Sequence, residues 1–416
     1  MTQATSRDQI TSITMMDPKV IACPFPTYHR LQAERPVHRD PQTGYFEVTR
    51  YDDMRAIAQD AETFSNKFNR QNSRSQALQA EMQRLYDAAG FPPVPTLLNN
   101  DPPDHRAIRS LVDKAFLPAR IGALQPAVAA EAARLVDAFI DRRQCEFMAE
   151  FAISLPVNII ADQLGVARDQ RPVVRDGSDS LLAVADPMTP DDMMLHHTRR
   201  IIGMQTLIAE RIDHARRKPD DTILSAVAND TEQRFDIPLL VHLFQSILVA
   251  GNETTTNALG NSMLMLVDDP ALFAQVKADP SLVRAFVEES LRVKSPFQGF
   301  YRVATRDTEL HGVAIPKDSL IVLRWGAGGH DHDQYECPEQ IRLDRPNLTK
   351  HLTFGAGTHF CLGNLLARTE MRAAFAEITQ RLDNVRLADA PDARTLAPTF
   401  FNQGVARIDL RFDRAA

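Results

Sequence analysis

The residues best suited to chemistry gather around one cysteine. Cys361 lies in Phe354-Gly355-Ala356-Gly357-Thr358-His359-Phe360-Cys361-Leu362-Gly363, directly before an apolar-periodic stretch through Leu365, Leu366, Ala367, Met371, Ala374, Phe375 and Ile378. Glycine removes the side chain that would hold the main chain away, so this loop can bend sharply and lie close to a flat neighbour. The free amides and the positive dipole end of the helix that follows favour a thiolate over a thiol. A lone cysteine is more often a small buried hydrophobe. Here Cys23, Cys145, Cys337 and Cys361 show no Cys-x-x-Cys or Cys/His zinc spacing, and only Cys361 sits in a Gly-rich signature, which favours a ligating thiolate.

Three further sets stand out. An apolar helical run from about Pro238 to Met265 is interrupted by Ala250-Gly251-Asn252-Glu253-Thr254-Thr255, with Ile247, Gly251, Thr254 and Ala258 on one stripe. Glycine and successive threonines are poor helix interiors, and such breaches of local rules often mark function. His105 and Arg109 are spaced i, i+4 on a helix opened by Asp101-Pro102-Pro103-Asp104; taken alone they read as a solvated face. Glu289 and Arg292 are spaced i, i+3 and read alone as a surface ion pair worth at most about 1 kcal/mol.

Phe-x-x-Gly-x-x-x-Cys-x-Gly, followed by Ala367, Arg368 and Glu370, closely resembles the proximal haem-ligand loop of the cytochrome P-450 superfamily. The resemblance implies a mainly α fold with a smaller β region (α+β), with haem b between a long central helix and the Cys-loop helix. It implies one domain over residues 21–416 after a flexible segment 1–20. Cys361 becomes the axial thiolate, which pushes electron density onto iron and favours O–O cleavage. Phe354, Gly355, Gly363 and Ala250 become haem contacts, and His105, Arg109, Arg302 and His359 hold the propionates. The 250–254 stretch resembles the oxygen-activation motif: Gly251 leaves room for dioxygen, Thr254 donates a hydrogen bond to it, and Glu253 relays protons. Glu289 and Arg292, with Arg345 of Asp344-Arg345-Pro346, match a structural set. Pocket candidates are Leu97, Leu98, Leu181, Leu182, Val184, Met188, Ile247, Phe297, Phe300, Phe400 and Phe401; their apolar, partly aromatic character implies a small to medium lipophilic ligand. One departure is Gly329-His330-Asp331, where many bacterial relatives carry Asn-Arg-Asp.

The chain has 416 residues, and 47 basic against 54 acidic residues leave a net charge of −7, so no global attraction to nucleic acid is expected. The first twenty residues carry no long apolar run, which predicts neither a signal peptide nor a membrane anchor, and the cysteine usage fits a reducing cytoplasm.

In order along the chain, Val37–Arg39 and Tyr45–Thr49 read as a hairpin, after which Asp52 or Asp53 caps a short helix. Residues 65–100 read as a mobile loop around one weak helix. Helices follow through Val128 to Leu135, Ile153 to Leu164, Val173 to Val184 and Met193 to Ala215, with Pro187 and Pro190 separating the last two. Val303–Leu310 and Val313–Leu323 read as strands about a His311-Gly312 turn, and Thr399–Gly404 as a turn whose tip enters the pocket.

The leading function is a monomeric monooxygenase fed by NAD(P)H through a reductase and a ferredoxin, because the chain has no flavin fingerprint or iron–sulfur cysteine cluster of its own. Arg106, Lys114, Lys350, Arg368 and Arg372 are candidates for a basic docking face. Two other readings stay open: a peroxide-driven or non-oxygenating haem-thiolate enzyme, and a cofactor-free helical binding protein.

Overall fold

The computed structural model describes residues 10–68, 74–185, 189–232 and 235–415. Pro187 and Met188 lie outside them. Contacts divide the chain into two compact units, one of Met1–Asn66, Gln125–Ser154 and Thr254–Ala416, the other of Lys67–Leu124 and Leu155–Glu253.

The first unit contains a five-stranded sheet, in the order Val37–Arg39, Phe46–Val48, Leu320–Leu323, Phe300–Ala304, Phe64–Ser65. The expected hairpin pairs Val37 with Val48 and Arg39 with Phe46. Its turn is organised by the Asp40 carboxylate, which accepts from the Gln42 and Thr43 amides at 2.8 and 3.0 Å. Alternation puts Val37, Val48, Ile321 and Leu323 in one apolar cluster with Met54, Ile57 and Trp325. The two long strands expected between 303 and 323 are instead four short ones. Phe300–Ala304 and Leu320–Leu323 pair in the main sheet, while Thr308–Leu310 and Val313–Ile315 form a separate hairpin. The polar run Thr305-Arg306-Asp307 and Pro316-Lys317-Asp318 interrupt the alternation, and His311 and Gly312 turn with φ of 50° and 74°. A second sheet joins Val405–Arg414 to Arg394–Leu396, Gln144–Glu146 and Leu382–Leu387.

From residue 10 the N-terminal lead-in is packed rather than loose: Ile10 and Met15 are buried with Phe25, Tyr28 and Leu31, and Asp40 accepts the Met15 amide at 2.6 Å. Neither Asp52 nor Asp53 caps the helix Tyr51–Gln59; both lie inside its first turn, and the Tyr51 amide donates to Asp331 at 2.8 Å.

The second unit is built of helices. The segment expected to be mobile holds the 14-residue helix Gln76–Ala89, capped by Ser75 Oγ and closed by Gly90 in the left-handed region. Arg171–Ala185 and Asp191–Arg217 pack together at Gly177, where a Cβ would come within 2.5 Å of Met204. The helix Ile237–Asp268 is helical throughout, without a break at 250–255, and contributes residues to both units.

The Glu289–Arg292 pair is no surface feature. Both side chains are fully buried, with bonds of 2.8 and 2.7 Å between them, and Arg345 donates to the same carboxylate at 2.7 Å. The two guanidinium groups also donate to the carbonyls of Gly329, Glu336, Cys337, Pro338 and Gln340. Burying charge is costly unless every donor and acceptor is met, and here one helix residue gathers a whole loop. Arg292→Leu removes two of the bonds to the buried Glu289 carboxylate and leaves Arg345 as its remaining guanidinium, so denaturant unfolding should show a loss of about 3–5 kcal/mol. A loss within the range of an exposed pair would contradict the burial.

Glu370, on the helix Asn364–Arg381, is 2% exposed, and burial pushes its carboxyl up to about 8. Between its unfolded value and pH 8 the folded state holds a proton that the unfolded state has released. Stability therefore falls as pH rises through that window. Glu370→Gln removes the dependence, so its gain over the parent in urea should grow from pH 5 to pH 8. An equal difference at both pH values would show that the carboxyl ionises in place.

Candidate active site

The Cys361 loop follows the turn Leu352–Phe354. Gly355 takes φ 69° and ψ −163°, a region essentially reserved for glycine. Gly357, at φ 67°, backs onto the Tyr51–Gln59 helix so closely that a Cβ would run into the Ala58 carbonyl. The loop is then tied to itself: the Phe360 amide donates to Gly357 O at 3.1 Å and the Cys361 amide to Phe354 O at 2.9 Å. Cys361 is left half-buried, and the Asn364 amide side chain donates to its carbonyl at 2.9 Å. The helix Asn364–Arg381 begins at Gly363, which provides no side-chain cap and whose missing Cβ would point into open space.

Behind the loop lies a carboxylate that the sequence reading passed over. Glu288, 1% exposed, accepts from Arg368 Nε at 2.8 Å, from Arg372 at 3.0 Å and from His351 Nε2 at 3.2 Å. Burial opposes its charge, yet the bonds from His351 and Arg368 hold its carboxyl down at about 2. Burial likewise lowers His351, so the neutral ring acts as donor to Glu288. The Arg368 guanidinium covers the Phe354 ring at 4.2 Å, and Thr353 donates to Leu291 O at 2.7 Å. The consecutive acids Glu288-Glu289 were the visible signal; only one had been given a role.

Of the residues expected on a docking face, Arg368 and Arg372 bond Glu288, and Lys114 is paired with Asp230 at 3.0 Å and Glu232 at 2.7 Å. Arg106 and Lys350 are exposed.

Of the other expected site residues in the first unit, Arg302 is buried on the strand Phe300–Ala304, with Nη1 donating to Tyr301 O at 2.8 Å. His359 is half-buried on the turn Gly357–His359. Phe297, Phe300 and Phe401 come together, with Phe297 centred 5.8 Å from Phe300 and 5.9 Å from Phe401. The Gln298 amide donates to Phe401 O at 2.6 Å, which draws the 399–404 turn alongside them. Tyr301, not anticipated, adds an edge contact to Phe401 at 4.9 Å. Phe400 meets Phe401 edge-on at 4.7 Å, and its ring also lies 4.1 Å from the guanidinium of Arg324, which forms a buried pair with Glu47 at 2.6 Å.

In the second unit His105 is buried, and burial followed by the Arg109 charge lowers it. Arg109 on the same helix donates to Asp113 at 2.7 Å. The 91–100 segment runs along the Ile237–Asp268 helix: His242 Nε2 lies 3.2 Å from Phe91 O, and Thr96 Oγ1 lies 3.2 Å from Ser246 Oγ. Leu97 is half-buried and Leu98 exposed. Leu181, Leu182 and Val184 are half-buried. Gly251 would meet nothing within 4 Å if it had a Cβ. Burial, then the negative charge of Asp179, raise Glu253. Thr254 opens the last of the three segments that make up the first unit.

The donor chemistry at Cys361 fits a haem. Among the described residues the one group of three His, Cys, Asp or Glu side chains arranged to hold a metal is His29, His330 and Glu339, which excludes Cys361. A metal held by this sulfur must bring its remaining ligands with it, as a porphyrin does. Among the described residues no helix is long and apolar enough to cross a membrane.

A family model described as Cytochrome P-450 matches residues 192–393. Cytochrome P-450 109 of Bacillus spizizenii is 30% identical over 393 residues, 93% of this chain and 91% of that protein. The structure of CYP109Q5 from Chondromyces apiculatus superposes with a TM-score of 0.84 at 28% identity, over 98% of this chain and 99% of that one. CYP109E1 from Bacillus megaterium, solved with corticosterone, gives 0.81 at 27% identity, over 94% and 99%. Proteins of this family bind haem b through a cysteine thiolate and act as monooxygenases. With an alignment that leaves little of either sequence outside it, the chain belongs to the cytochrome P-450 family.

Proposed function

We propose that Cys361 is the axial thiolate of haem b in this chain and that residues 21–416 act as one haem-thiolate domain. The proposed reaction inserts one atom of O2 into a small to medium lipophilic substrate, by hydroxylation, epoxidation or demethylation. What carries the reading is the single half-buried thiol on a loop pinned by Gly355 and Gly357. Bound there, the haem supplies dioxygen activation and oxygen-atom transfer.

His105, Arg109, Arg302 and His359 are the proposed propionate partners, a neutral donor or a guanidinium being what a buried carboxylate needs. Phe354, Gly355, Gly363 and Ala250 are the proposed neighbours of the macrocycle. Gly251 is assigned the space for dioxygen, in keeping with the open volume beside its Cα. The Thr254 hydroxyl would hold the proton that reaction requires, and Glu253 would replenish it. A carboxyl raised by burial and by Asp179 keeps its proton nearer neutral pH, where it can be both given and regained.

Phe297, Phe300 and Phe401, with Leu97, Leu98, Leu182 and Ile247, make up the proposed substrate lining, and its apolar character suits a steroid, terpenoid or aromatic compound. The corticosterone bound by CYP109E1 supports that class. Electrons would come from NAD(P)H through a separate reductase and a ferredoxin, in the cytoplasm, since the chain lacks flavin and iron–sulfur motifs.

With a substrate found by its low-to-high-spin shift, turnover should be faster with NAD(P)H and redox partners than with peroxide. The reverse order would favour a peroxide-driven enzyme. In Thr254→Ala, haem content and substrate binding should persist while product per NAD(P)H falls about tenfold or more and peroxide release rises. Unchanged coupling would remove Thr254 from the proton path.

A further inference from the structure

His330, in the Gly329-His330-Asp331 stretch, is 1% exposed and has both ring nitrogens engaged. Nε2 lies 2.9 Å from the Val293 carbonyl oxygen, and Nδ1 lies 2.7 Å from Glu339 Oε1. A carbonyl only accepts, so Nε2 carries a proton. In a neutral ring the Nδ1 lone pair then faces a carboxylate oxygen, which is repulsive unless something positive lies between them. The same oxygen is approached from a second side. His29 Nε2, on the helix Phe25–Glu34, is 2.8 Å away but out of line for a hydrogen bond.

Two imidazole nitrogens and a carboxylate oxygen therefore lie within 4.8 Å of one another. A metal-binding histidine typically donates its other N–H to a carbonyl, as His330 does to Val293. The Phe25 ring stacks on His330 at 4.4 Å and walls one side. His332 is exposed, with its ring 5.3 Å from that of His29, close enough to add a ligand by rotation. Lys294, with its ammonium over Phe25 at 4.5 Å, is the opposing charge.

We propose that His29, His330 and Glu339 bind a divalent transition cation, with zinc as the favoured ion and His332 or water in the fourth position. Nitrogen donors select against magnesium and calcium. With zinc–ligand bonds of about 2.0–2.1 Å, tetrahedral ligand atoms stand about 3.3–3.4 Å apart. The present spacing of 2.7–2.8 Å thus has to open by about half an ångström, which the partly exposed His29 and Glu339 side chains permit. The cation ties the Phe25–Glu34 helix to the 329–340 loop, the same loop whose Gly329, Pro338 and Gln340 carbonyls receive Arg292. Its occupancy therefore stabilises the fold by linkage.

Untagged holoprotein, stripped with chelator and titrated with zinc chloride, provides the test, with zinc counted separately from haem iron. One zinc per chain and a thermal midpoint that climbs with zinc are expected. His29→Ala and Glu339→Gln, at accessible positions, should weaken zinc binding about tenfold or more and abolish the climb, with haem content unchanged. Failure of the parent to bind one zinc, or equal affinity in parent and both variants, overturns the proposal and leaves a proton in the gap between His330 and Glu339.

Discussion

Two neighbouring carboxylates on one helix hold the region that carries Cys361. Successive helix residues point about 100° apart, so Glu288 and Glu289 serve different partners. Glu289 turns to Arg292 and Arg345 and thereby to the 336–345 loop. Glu288 turns to Arg368, Arg372 and His351, which flank the cysteine loop on both sides in sequence. Each charge is buried, and each would be intolerable alone. The helix Val283–Val293 consequently fixes where the Cys361 sulfur stands, and glycines at 355 and 357 let the loop meet that position.

Against this rigid backing the residues proposed for oxygen chemistry break local rules. Gly251, Glu253 and Thr254 are accommodated in a helix that never loses its helical course. That helix has the apolar neighbours to tolerate them: Leu248, Leu259 and Met263 are fully buried. The aromatic group of Phe297, Phe300, Tyr301 and Phe401 depends on backbone pairing between 296–298 and 401–403, an isolated bridge outside the sheets. Phe400, one residue away, packs edge-on against Phe401 and carries the group on to the Arg324 guanidinium.

What could be read from the sequence was whatever is local or signature-like. The Cys361 loop, the hairpin at 37–48 and the helices at 104–113 and 191–217 follow from spacing, prolines and periodicity. Burial of charge could not be read. Glu47 and Arg324 are 277 positions apart, Glu288 and Arg368 are 80 apart, and no pattern within a window links them. Glu289 and Arg292 illustrate the same blindness: i, i+3 spacing reveals the pair but not whether water surrounds it. The long strands expected at 303–323 failed because Pro316 and the polar residues around it outweigh β-propensity on either side. His330 and Glu339 sit in an irregular segment, where periodicity says nothing about which side chains converge.

A spectrum of the reduced protein under carbon monoxide decides whether the Cys361 sulfur reaches haem iron as an anion. A Soret band is expected near the wavelength that gives the family its name, where a thiolate opposite carbon monoxide places it. A band at the shorter wavelength of a neutral axial ligand in freshly prepared, active protein, or a preparation that binds no haem, would contradict it.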